Sequence, residues 1–178
     1  AWLRLASWEP IGAGPGTYSL AFLRANPKMS ATLLDLPSTL KETRRILAAH
    51  PALAARTRLK AGNYRHASFG RAEYDLVLLS HITHDASPAV NRRLIAESYR
   101  ALKPGGCVVI HDFMLEEDRV RPVFGALFSV HMLAYTEGGR TYTAAEYVKW
   151  LRAAGFSRLA EKKIAEKSRN SSRIIVGI

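Results

Sequence analysis

The stretch "IGAGPGTYSLAFLRANPKMSATLLD", residues 11–35, decides the fold of this 178-residue chain. It opens with a glycine-rich loop, continues as a predicted helix over residues 17–26, and ends in an apolar strand predicted at 31–35. Glycine lets the backbone approach a ligand closely, and such a loop presents amide groups at the start of the next helix. The loop therefore predicts a cofactor site at Gly12, Gly14 and Gly16.

Asp35 supports this prediction. A carboxylate that accepts hydrogen bonds from both hydroxyls of a ribose is expected about 20 residues after such a loop, at the end of the next strand, and Asp35 occupies that place. The spacing suits any ribose-bearing cofactor, so NAD and S-adenosylmethionine both remain possible at this point. The alternative is a simple glycine turn followed by a surface aspartate.

Short apolar runs alternate with helical segments along the rest of the chain, a pattern that predicts a parallel sheet covered by helices. Further strands are predicted at 74–80, 106–113, 158–165 and 172–178, and further helices at 38–49, 88–102, 121–135 and 144–154. Because no repeat or linker divides the chain, we expect one α/β domain.

Composition is that of an ordinary soluble globular protein, with 48% hydrophobic and 23% charged residues. No apolar run approaches the ~20 residues that a spanning helix needs, so no membrane partner is predicted. The single cysteine, Cys107, excludes a disulfide framework and fits a cytoplasmic location. The net charge of +11 raises the possibility of a nucleic-acid partner, but the basic residues are scattered, so we predict solvated surface charge instead.

The stretch "LLSHITHDASP", residues 78–88, follows a predicted strand and carries three candidate catalytic residues. Ligands of open parallel sheets bind beyond the carboxyl ends of the strands, which is where this stretch places His81, His84 and Asp85. Histidine suits a general base at neutral pH because its unperturbed pKa is ~6.5. A structural role for either histidine is the alternative.

A second chemistry-bearing stretch is "VVIHDFMLEED", residues 108–118. Strand alternation places Asp112 on one face of the sheet together with Val108 and Ile110, and His111 on the other face. Two neighbouring strands then deliver His84 and Asp112 to one crevice, as a base and the carboxylate that orients it. His81, His84 and Asp112 could also be imagined as metal ligands, but nothing in the sequence requires a metal, and none is predicted.

The order of these motifs resembles a known family. Together "IGAGPGTYSLAFLRANP", "LLDLPSTL", "AGNY", "YDLVLLSHITHD", "ALKPGGCVVIHDFML" and "GGRTYTAAEYVKWLRAAGF" are similar to the catalytic domain of S-adenosylmethionine-dependent O-methyltransferases of the caffeic acid and hydroxyindole type, in their bacterial natural-product branch. The resemblance implies a class I methyltransferase fold, Rossmann-like, with a mostly parallel seven-stranded sheet and helices on both faces. It implies S-adenosylmethionine as the cofactor.

The resemblance also assigns the cofactor-binding residues. The glycine loop would lie against the methionine part of S-adenosylmethionine, Asp35 would bind the ribose, and Leu36 would lie beside the adenine. Asn63 and Tyr64 stand where the family usually has an aspartate followed by an aromatic residue that flanks the adenine. The amide oxygen of Asn63 can still accept from the adenine amino group. Ser80, the last residue of the strand predicted at 74–80, and His81, which follows it, complete the set.

By the same resemblance, His84 is the base that removes the proton of the acceptor hydroxyl, and Asp112 steers it. Asp85, the second residue of the "HD" pair, is included with them. The family has a second carboxylate at the position that Thr141 occupies here, so this chain lacks a carboxylate that would orient the histidine from that position. In the predicted helix at 121–135 the acceptor pocket would be lined by Phe124, Phe128, His131 and Met132; a core stripe is the alternative.

The first ten residues do not fit this scheme. Pro10 cannot donate a ladder hydrogen bond, and Glu9 stands one place too early for the acidic residue that ends the family's first strand, so "ASWEP" is predicted to be a poor central strand. We expect residues 1–10 to be a remnant of an upstream helical region, residues to be missing between Pro10 and Ile11, and the catalytic domain to span 11–178. The family pairs through such an upstream domain, which implies a homodimer.

The sequence thus predicts an enzyme that methylates a hydroxyl of an aromatic or polyketide-like small molecule, as in secondary metabolism. Transfer to carbon or nitrogen by the same fold is the first alternative. An NAD-dependent oxidoreductase and a cofactor-binding domain without catalysis are the others.

Overall fold

The structure is a computed structural model that describes residues 7–163 and 172–178. Within these residues the strands are β1 (Ser7–Ile11), β2 (Ser30–Asp35), β3 (Thr57–Ala61), β4 (Tyr74–Ser80), β5 (Leu102–Leu115), β6 (Tyr142–Thr143), β7 (Leu159–Lys163) and β8 (Ser172–Gly177). The helices are α1 (Thr17–Ala25), α2 (Pro37–Ala48), α3 (Pro51–Ala54), α4 (Pro88–Ala101), α5 (Val123–Tyr135) and α6 (Ala144–Ala154). A short 3₁₀ helix, Thr83–Asp85, follows β4 and is called the 83–85 turn below.

The strands form one sheet in the order β3-β2-β1-β4-β5-β8-β7. The two-residue strand β6 also pairs with β5 but is not part of this order. Strands β1 to β5 pair in parallel, whereas β8 is antiparallel to β5 and β7 is antiparallel to β8. The predicted α/β class is therefore confirmed. The sheet that was expected to be mostly parallel and seven-stranded is a mixed sheet.

Side-chain alternation along the central strands builds a hydrophobic core on each face of the sheet. Val77 and Leu79 of β4 point into the core that α4 and α6 cover, while Leu76 and Leu78 point into the core that α1, α2 and α3 cover. Cys107 lies in the second core and is buried. Because helices cover both faces of the sheet, the side chains of β4 are buried on both sides, which explains its continuous run of apolar residues.

The first strand is the segment that sequence analysis rejected. β1 pairs with β4 through every residue from Trp8 to Ile11, whereas its pairing with β2 skips Glu9 and Pro10. The missing N–H of Pro10 is accommodated at this interruption. Residues 7–10 thus lie in the same sheet as the rest of the domain and form part of an inner strand, contrary to the prediction made from Pro10. Residues 1–6 lie outside the described residues.

The predicted helices and strands from residue 17 onward are found close to their predicted bounds. Ser87 caps α4 by accepting from the N–H of Val90, and Thr143 and Glu146 form the predicted capping box of α6. The strand predicted at 158–165 is β7, and its last two residues fall outside the described part of the chain. Sequence analysis missed β3, because the edge strand "TRLKA" carries two cations and lacks an apolar run.

The connections place a reversal of strand order between β1 and β4. From β1 the chain moves outward to β2 and β3, then returns to pair β4 on the other side of β1. In open sheets of this kind ligands bind at such a reversal of strand order, beyond the carboxyl ends of the strands. The glycine loop follows β1 there, and the 83–85 turn follows β4. No helix in the described ranges is both long and apolar enough to cross a membrane.

Candidate active site

The glycine loop at the end of β1 is held in a conformation that favours glycine. Gly12, Gly14 and Gly16 have φ angles of 62°, 56° and 89°. A Cβ added to Gly12 would lie 2.6 Å from Cγ2 of Ile82, so this glycine is needed for the close approach of the loop to the segment after β4. A Cβ added to Gly14 would meet nothing within 4 Å, so open space lies in front of that residue.

Asp35 fixes the loop through its carboxylate. Its Oδ2 accepts from the Gly14 N–H at 2.7 Å, and its Oδ1 accepts from the Leu36 N–H at 2.7 Å. The Thr43 hydroxyl donates to the Gly14 carbonyl oxygen at 3.0 Å from the other side. Each carboxylate oxygen keeps a second lone pair, so Asp35 can accept further hydrogen bonds from a ligand.

A cavity of about 190 Å³ lies against the glycine loop. It is lined by the loop, by the first residues of α1 and by Leu78 and Ser80 at the end of β4. Ser19 also lines it; its side chain is 1% exposed, and its hydroxyl has no hydrogen-bond partner among the described residues. An unpartnered buried hydroxyl costs free energy, so the cavity is suited to a polar ligand that supplies the partner.

The loop after β3 brings Asn63 and Tyr64 toward Asp35. β3 pairs with β2 so that Ala61 is opposite Asp35, and the Gly62 N–H donates to the Asp35 carbonyl oxygen at 2.9 Å. Tyr64 packs against the core, whereas Asn63 and Leu36 are exposed. The amide oxygen of Asn63 accepts from the Arg65 N–H at 2.9 Å, within its own loop.

His84 and Asp112 are brought together from the ends of β4 and β5. Nδ1 of His84 lies 2.6 Å from Oδ1 of Asp112, and Asp112 is fully buried. The backbone N–H groups of Thr83 and His84 also donate to Oδ2 of Asp112, at 3.1 and 3.2 Å, and the Thr83 hydroxyl donates to the same atom. The phenol of Tyr147 lies 2.6 Å from the Thr83 hydroxyl. The carboxylate is thereby held rigidly against the imidazole.

Electrostatics in this pair favour an ionised carboxylate and a basic imidazole. Burial lowers the pKa of His84, but the hydrogen bond and the negative charge of Asp112, with Asp85 nearby, raise it above the usual 6.5. Burial raises the pKa of Asp112, yet the contacts with His84 and Thr83 hold it below its usual value. Burial raises the pKa of Asp85, whose Oδ1 lies 3.5 Å from Nε2 of His84.

His81 and His111 lie beside the pair. Burial lowers the pKa of both. His81 has a φ of 53°, which is uncommon for a residue with a side chain, and its N–H donates to the His111 carbonyl oxygen at 2.8 Å. The two rings are 4.4 Å apart, and His111 Nδ1 lies 3.1 Å from the Ser80 hydroxyl. As predicted from strand alternation, His111 faces away from the buried Asp112.

His81, His84 and Asp112 are also the one group among the described residues that offers three metal-ligand atoms within 4.8 Å of one another. Every oxygen of Asp112 already accepts hydrogen bonds, and the 2.6 Å contact with His84 is that of a hydrogen-bonded pair. The arrangement therefore fits a base and its orienting carboxylate better than a metal centre.

An aromatic wall faces His84. The ring of Phe128 in α5 lies 4.9 Å from the His84 ring, and Phe113, directly after Asp112, lies 4.9 Å from Phe128 and 5.0 Å from Phe124. Met132 is buried, as a pocket-lining or core residue would be. His131 is exposed; its ring stacks on Phe128 at 6.1 Å and contacts Tyr135 at 4.5 Å, so it lies at the edge of this wall.

Residues 3–157 match the family model described as an O-methyltransferase domain. The chain belongs to this family. The O-methyltransferase domain is 34% identical over 168 residues to the 3-hydroxy-5-methyl-1-naphthoate 3-O-methyltransferase of Streptomyces sahachiroi, covering 94% of this chain and 47% of that enzyme. It is 34% identical over 147 residues to the L-tyrosine C(3)-methyltransferase of Streptomyces lavendulae, covering 82% of this chain and 40% of that enzyme.

Solved structures show the same fold. PigF of Serratia, solved with SAH, superposes on the O-methyltransferase domain with a TM-score of 0.86 and 30% identity, over 99% of this chain and 51% of that chain. The chain thus spans about half the length of the relatives it matches.

Two features of the O-methyltransferase domain were missed by sequence analysis. The ring of Phe113 lies between His84 and the predicted pocket residues Phe124 and Phe128. Its position directly after Asp112 in the sequence could have indicated this role. Gly139 lies against the 83–85 turn, where a Cβ added to it would be 2.4 Å from the His84 carbonyl oxygen, and Gly138 lies against Ser87. Thr141, at the position of the second family carboxylate, is buried, and its hydroxyl has no partner among the described residues.

Proposed function

We propose that this domain transfers a methyl group from S-adenosylmethionine to a hydroxyl of an aromatic or polyketide-like small molecule. The observation that carries the proposal is the 2.6 Å contact between His84 and the buried Asp112, beside a glycine loop at the reversal of strand order. Family membership and the solved relative with SAH support the choice of S-adenosylmethionine over NAD.

The described residues fit the cofactor. Open space in front of Gly14 and the unpartnered Ser19 hydroxyl suit the polar amino-acid end of the molecule, and Asp35 with Leu36, Asn63 and Tyr64 suits its nucleoside. We assign Gly12, Gly16, Ser80 and His81 to the same site. When bound, the cofactor supplies an electrophilic methyl group on a positively charged sulfur.

The chain's own contribution is positioning and proton removal. Because Asp112 accepts from Nδ1 of His84, the proton of the neutral imidazole is held on that nitrogen, and the lone pair is on Nε2. Nε2 would then accept the proton of the acceptor hydroxyl, while S-adenosylmethionine would supply the methyl group and leave as the neutral thioether S-adenosylhomocysteine. The buried carboxylate stabilises the imidazolium that results. Asp85 lies 3.5 Å from Nε2, where it would influence the same proton.

The aromatic wall indicates the chemistry of the acceptor. Phe113, Phe124 and Phe128 present ring faces and edges next to the base, which favours a flat aromatic acceptor held by stacking. A phenol has a pKa of ~10 and is mostly protonated at neutral pH, so a base within hydrogen-bond reach is useful. We include Met132 in this pocket and keep His131 as a residue of its rim.

Transfer to carbon is the second candidate, because one relative is an L-tyrosine C(3)-methyltransferase. Removal of a phenol proton also increases electron density on the ring carbons beside the oxygen, so the same base would serve both reactions. The position of the acceptor relative to the methyl group would then decide the product.

We further propose that the whole protein is a cytoplasmic homodimer of secondary metabolism with an upstream helical domain. Relatives of about twice this length support the additional domain. The exposed apolar side chains of α5 support a covering partner, since large apolar patches mark interaction sites. They include Val123, Leu127, Val130 and Leu133, each at least 66% exposed.

The test is methyl transfer from isotopically labelled S-adenosylmethionine to a panel of hydroxylated naphthoates and related phenols, with product analysis to separate O- from C-methylation. We expect His84→Ala to bind the cofactor normally and to lose about 100-fold or more in turnover. His50→Gln, which removes a partly exposed histidine between α2 and α3 and away from the site, is the control. Full turnover by His84→Ala would disprove the role of the base.

A further inference from the structure

The loop of residues 62–67, which carries Asn63 and Tyr64, is held by two arginines that sequence analysis did not identify. One reaches the loop from α4, and the other belongs to the loop itself. Between them they connect the proposed adenine-binding residues to the turn that carries the base.

Arg93 of α4 donates to successive carbonyl groups of this loop. Its Nε–H donates to the Arg65 carbonyl oxygen at 2.9 Å, and Nη2 donates to the Tyr64 carbonyl oxygen at 2.8 Å. Two longer contacts of 3.4 Å reach the carbonyl oxygen of Ala67. A guanidinium group carries five N–H donors in a fixed plane and can serve three acceptors at once, which a lysine ammonium at the same place cannot do with the same geometry.

The loop depends on these bonds because it lies between β3 and β4 and belongs to no sheet ladder. Its internal hydrogen bonds converge on Asn63, whose carbonyl oxygen accepts from the N–H groups of His66 and Ala67. The carbonyl groups that Arg93 binds point away from that turn toward α4. Half-buried carbonyls that lose their partners become costly, so without Arg93 the loop is expected to adopt other conformations.

Arg65 connects the same loop to the base. Its Nη2 donates to the Asp85 carbonyl oxygen at 2.5 Å. Asp85 directly follows His84 and ends the 83–85 turn. The segment that would receive the adenine and the segment that carries the imidazole are therefore joined by one charge-assisted hydrogen bond.

We propose that Arg65 and Arg93 are positioning residues for the methyl transfer. Arg93 fixes the 62–67 loop and so sets the affinity for the cofactor, whereas Arg65 orients the 83–85 turn and so sets turnover. This inference rests on the proposed function, because it assigns the loop to the adenine of S-adenosylmethionine.

Calorimetry with S-adenosylhomocysteine tests Arg93. We expect Arg93→Gln to weaken binding about ten-fold, the equivalent of one such hydrogen bond, and Arg93→Lys to recover only part of that loss. Arg92→Gln removes the preceding, exposed arginine of α4 and should bind within about two-fold of the parent chain. Thermal unfolding of each variant separates the two roles, since a purely structural arginine would lower Tm and leave the Kd unchanged.

Steady-state kinetics test Arg65. Arg65→Gln is expected to lower kcat about ten-fold and to change the KM for S-adenosylmethionine by less than about three-fold. Arg65→Lys, which keeps a cation able to reach one carbonyl group, should restore much of kcat.

The outcomes separate the two proposals. If the parent chain does not bind S-adenosylhomocysteine, the proposed function fails and the positioning role fails with it. If the parent chain binds it and both Arg93 variants bind equally well, only the role of Arg93 is overturned. A kcat of Arg65→Gln equal to that of the parent chain overturns the role of Arg65.

Discussion

Nδ1 of His84 lies 2.6 Å from Oδ1 of Asp112, and the carboxylate is completely shielded from solvent while one edge of the imidazole is not. Any effect of the carboxylate on a bound acceptor would therefore be transmitted through the imidazole ring.

Asp112→Asn should reduce turnover and shift its pH dependence. In the parent chain the acidic limb of kcat/KM reports deprotonation of His84 and is expected above pH 6.5, because Asp112 raises the pKa of His84 despite burial. In the variant, burial still lowers the pKa of His84, but the negative charge of Asp112 that raised it is gone. The acidic limb is therefore expected to move to lower pH. We expect kcat to fall about 100-fold. The rate of each protein is divided by the fraction that binds S-adenosylhomocysteine, which corrects for unfolded protein. An acidic limb at the same pH in the variant and the parent chain would contradict the assignment of this limb to His84.

The same pair should contribute to stability against acid. The pKa of Asp112 is lower in the folded chain than its usual 3.8, so its contribution is present above pH 3.8 and is lost as the pH falls through the folded value. The pKa of His84 is raised, so its contribution is present below pH 6.5 and is lost as the pH rises through the folded value. Urea unfolding between pH 3 and 8 measures both effects. Asp112→Asn should be about 3 kcal/mol less stable at pH 6 and flatter across this range.

The two glycines of the loop should respond differently to alanine. Gly12→Ala places a methyl group 2.6 Å from Ile82 Cγ2 and should lower the free energy of unfolding by about 2 kcal/mol or more. Gly14→Ala meets no neighbour, so its cost is limited to the positive φ, about 1 kcal/mol. Its methyl group enters the open space assigned to the cofactor. Calorimetry should therefore show S-adenosylhomocysteine binding at least about ten-fold weaker for Gly14→Ala, despite near-normal stability.

Phe128→Ala should affect the acceptor and spare the cofactor. The ring lies 4.9 Å from both His84 and Phe113, so its removal deletes one side of the aromatic wall. We expect the KM for an aromatic acceptor to rise about ten-fold, with the KM for S-adenosylmethionine within about two-fold of the parent value. Val148→Ala truncates an exposed apolar residue of α6, outside both the aromatic wall and the exposed face of α5, and is the control. Equal effects on both substrates would place Phe128 outside the acceptor pocket.

The parts of the site that follow from periodicity could be predicted from the sequence. Alternation along the strand at 106–113 placed Asp112 and His111 on opposite faces, and the sheet rule placed His84 at the same edge. Helices with clear capping residues could also be predicted, because capping is a local signal; Thr143 and Glu146, at the start of α6, are an example.

What could not be predicted depends on contacts between distant segments. Pro10 argued against a central strand. The strand tolerates this proline because its pairing is interrupted there only on the side of β2 and continues on the side of β4. Only the register of the three strands in the structure reveals this. The edge strand β3 lacks the apolar run that burial on both faces imposes on β4. Arg65 and Arg93 resembled surface cations, and their acceptors are backbone carbonyls that leave no pattern in a sequence.

The segment after α5 lies directly against the backbone of the base at Gly139. A Cβ at this position would be 2.4 Å from the His84 carbonyl oxygen and 2.9 Å from the carbonyl carbon of Asp85. Any side chain there would therefore displace either this segment or the 83–85 turn. The position of the imidazole thus depends on a residue that has no side chain and takes no part in the chemistry.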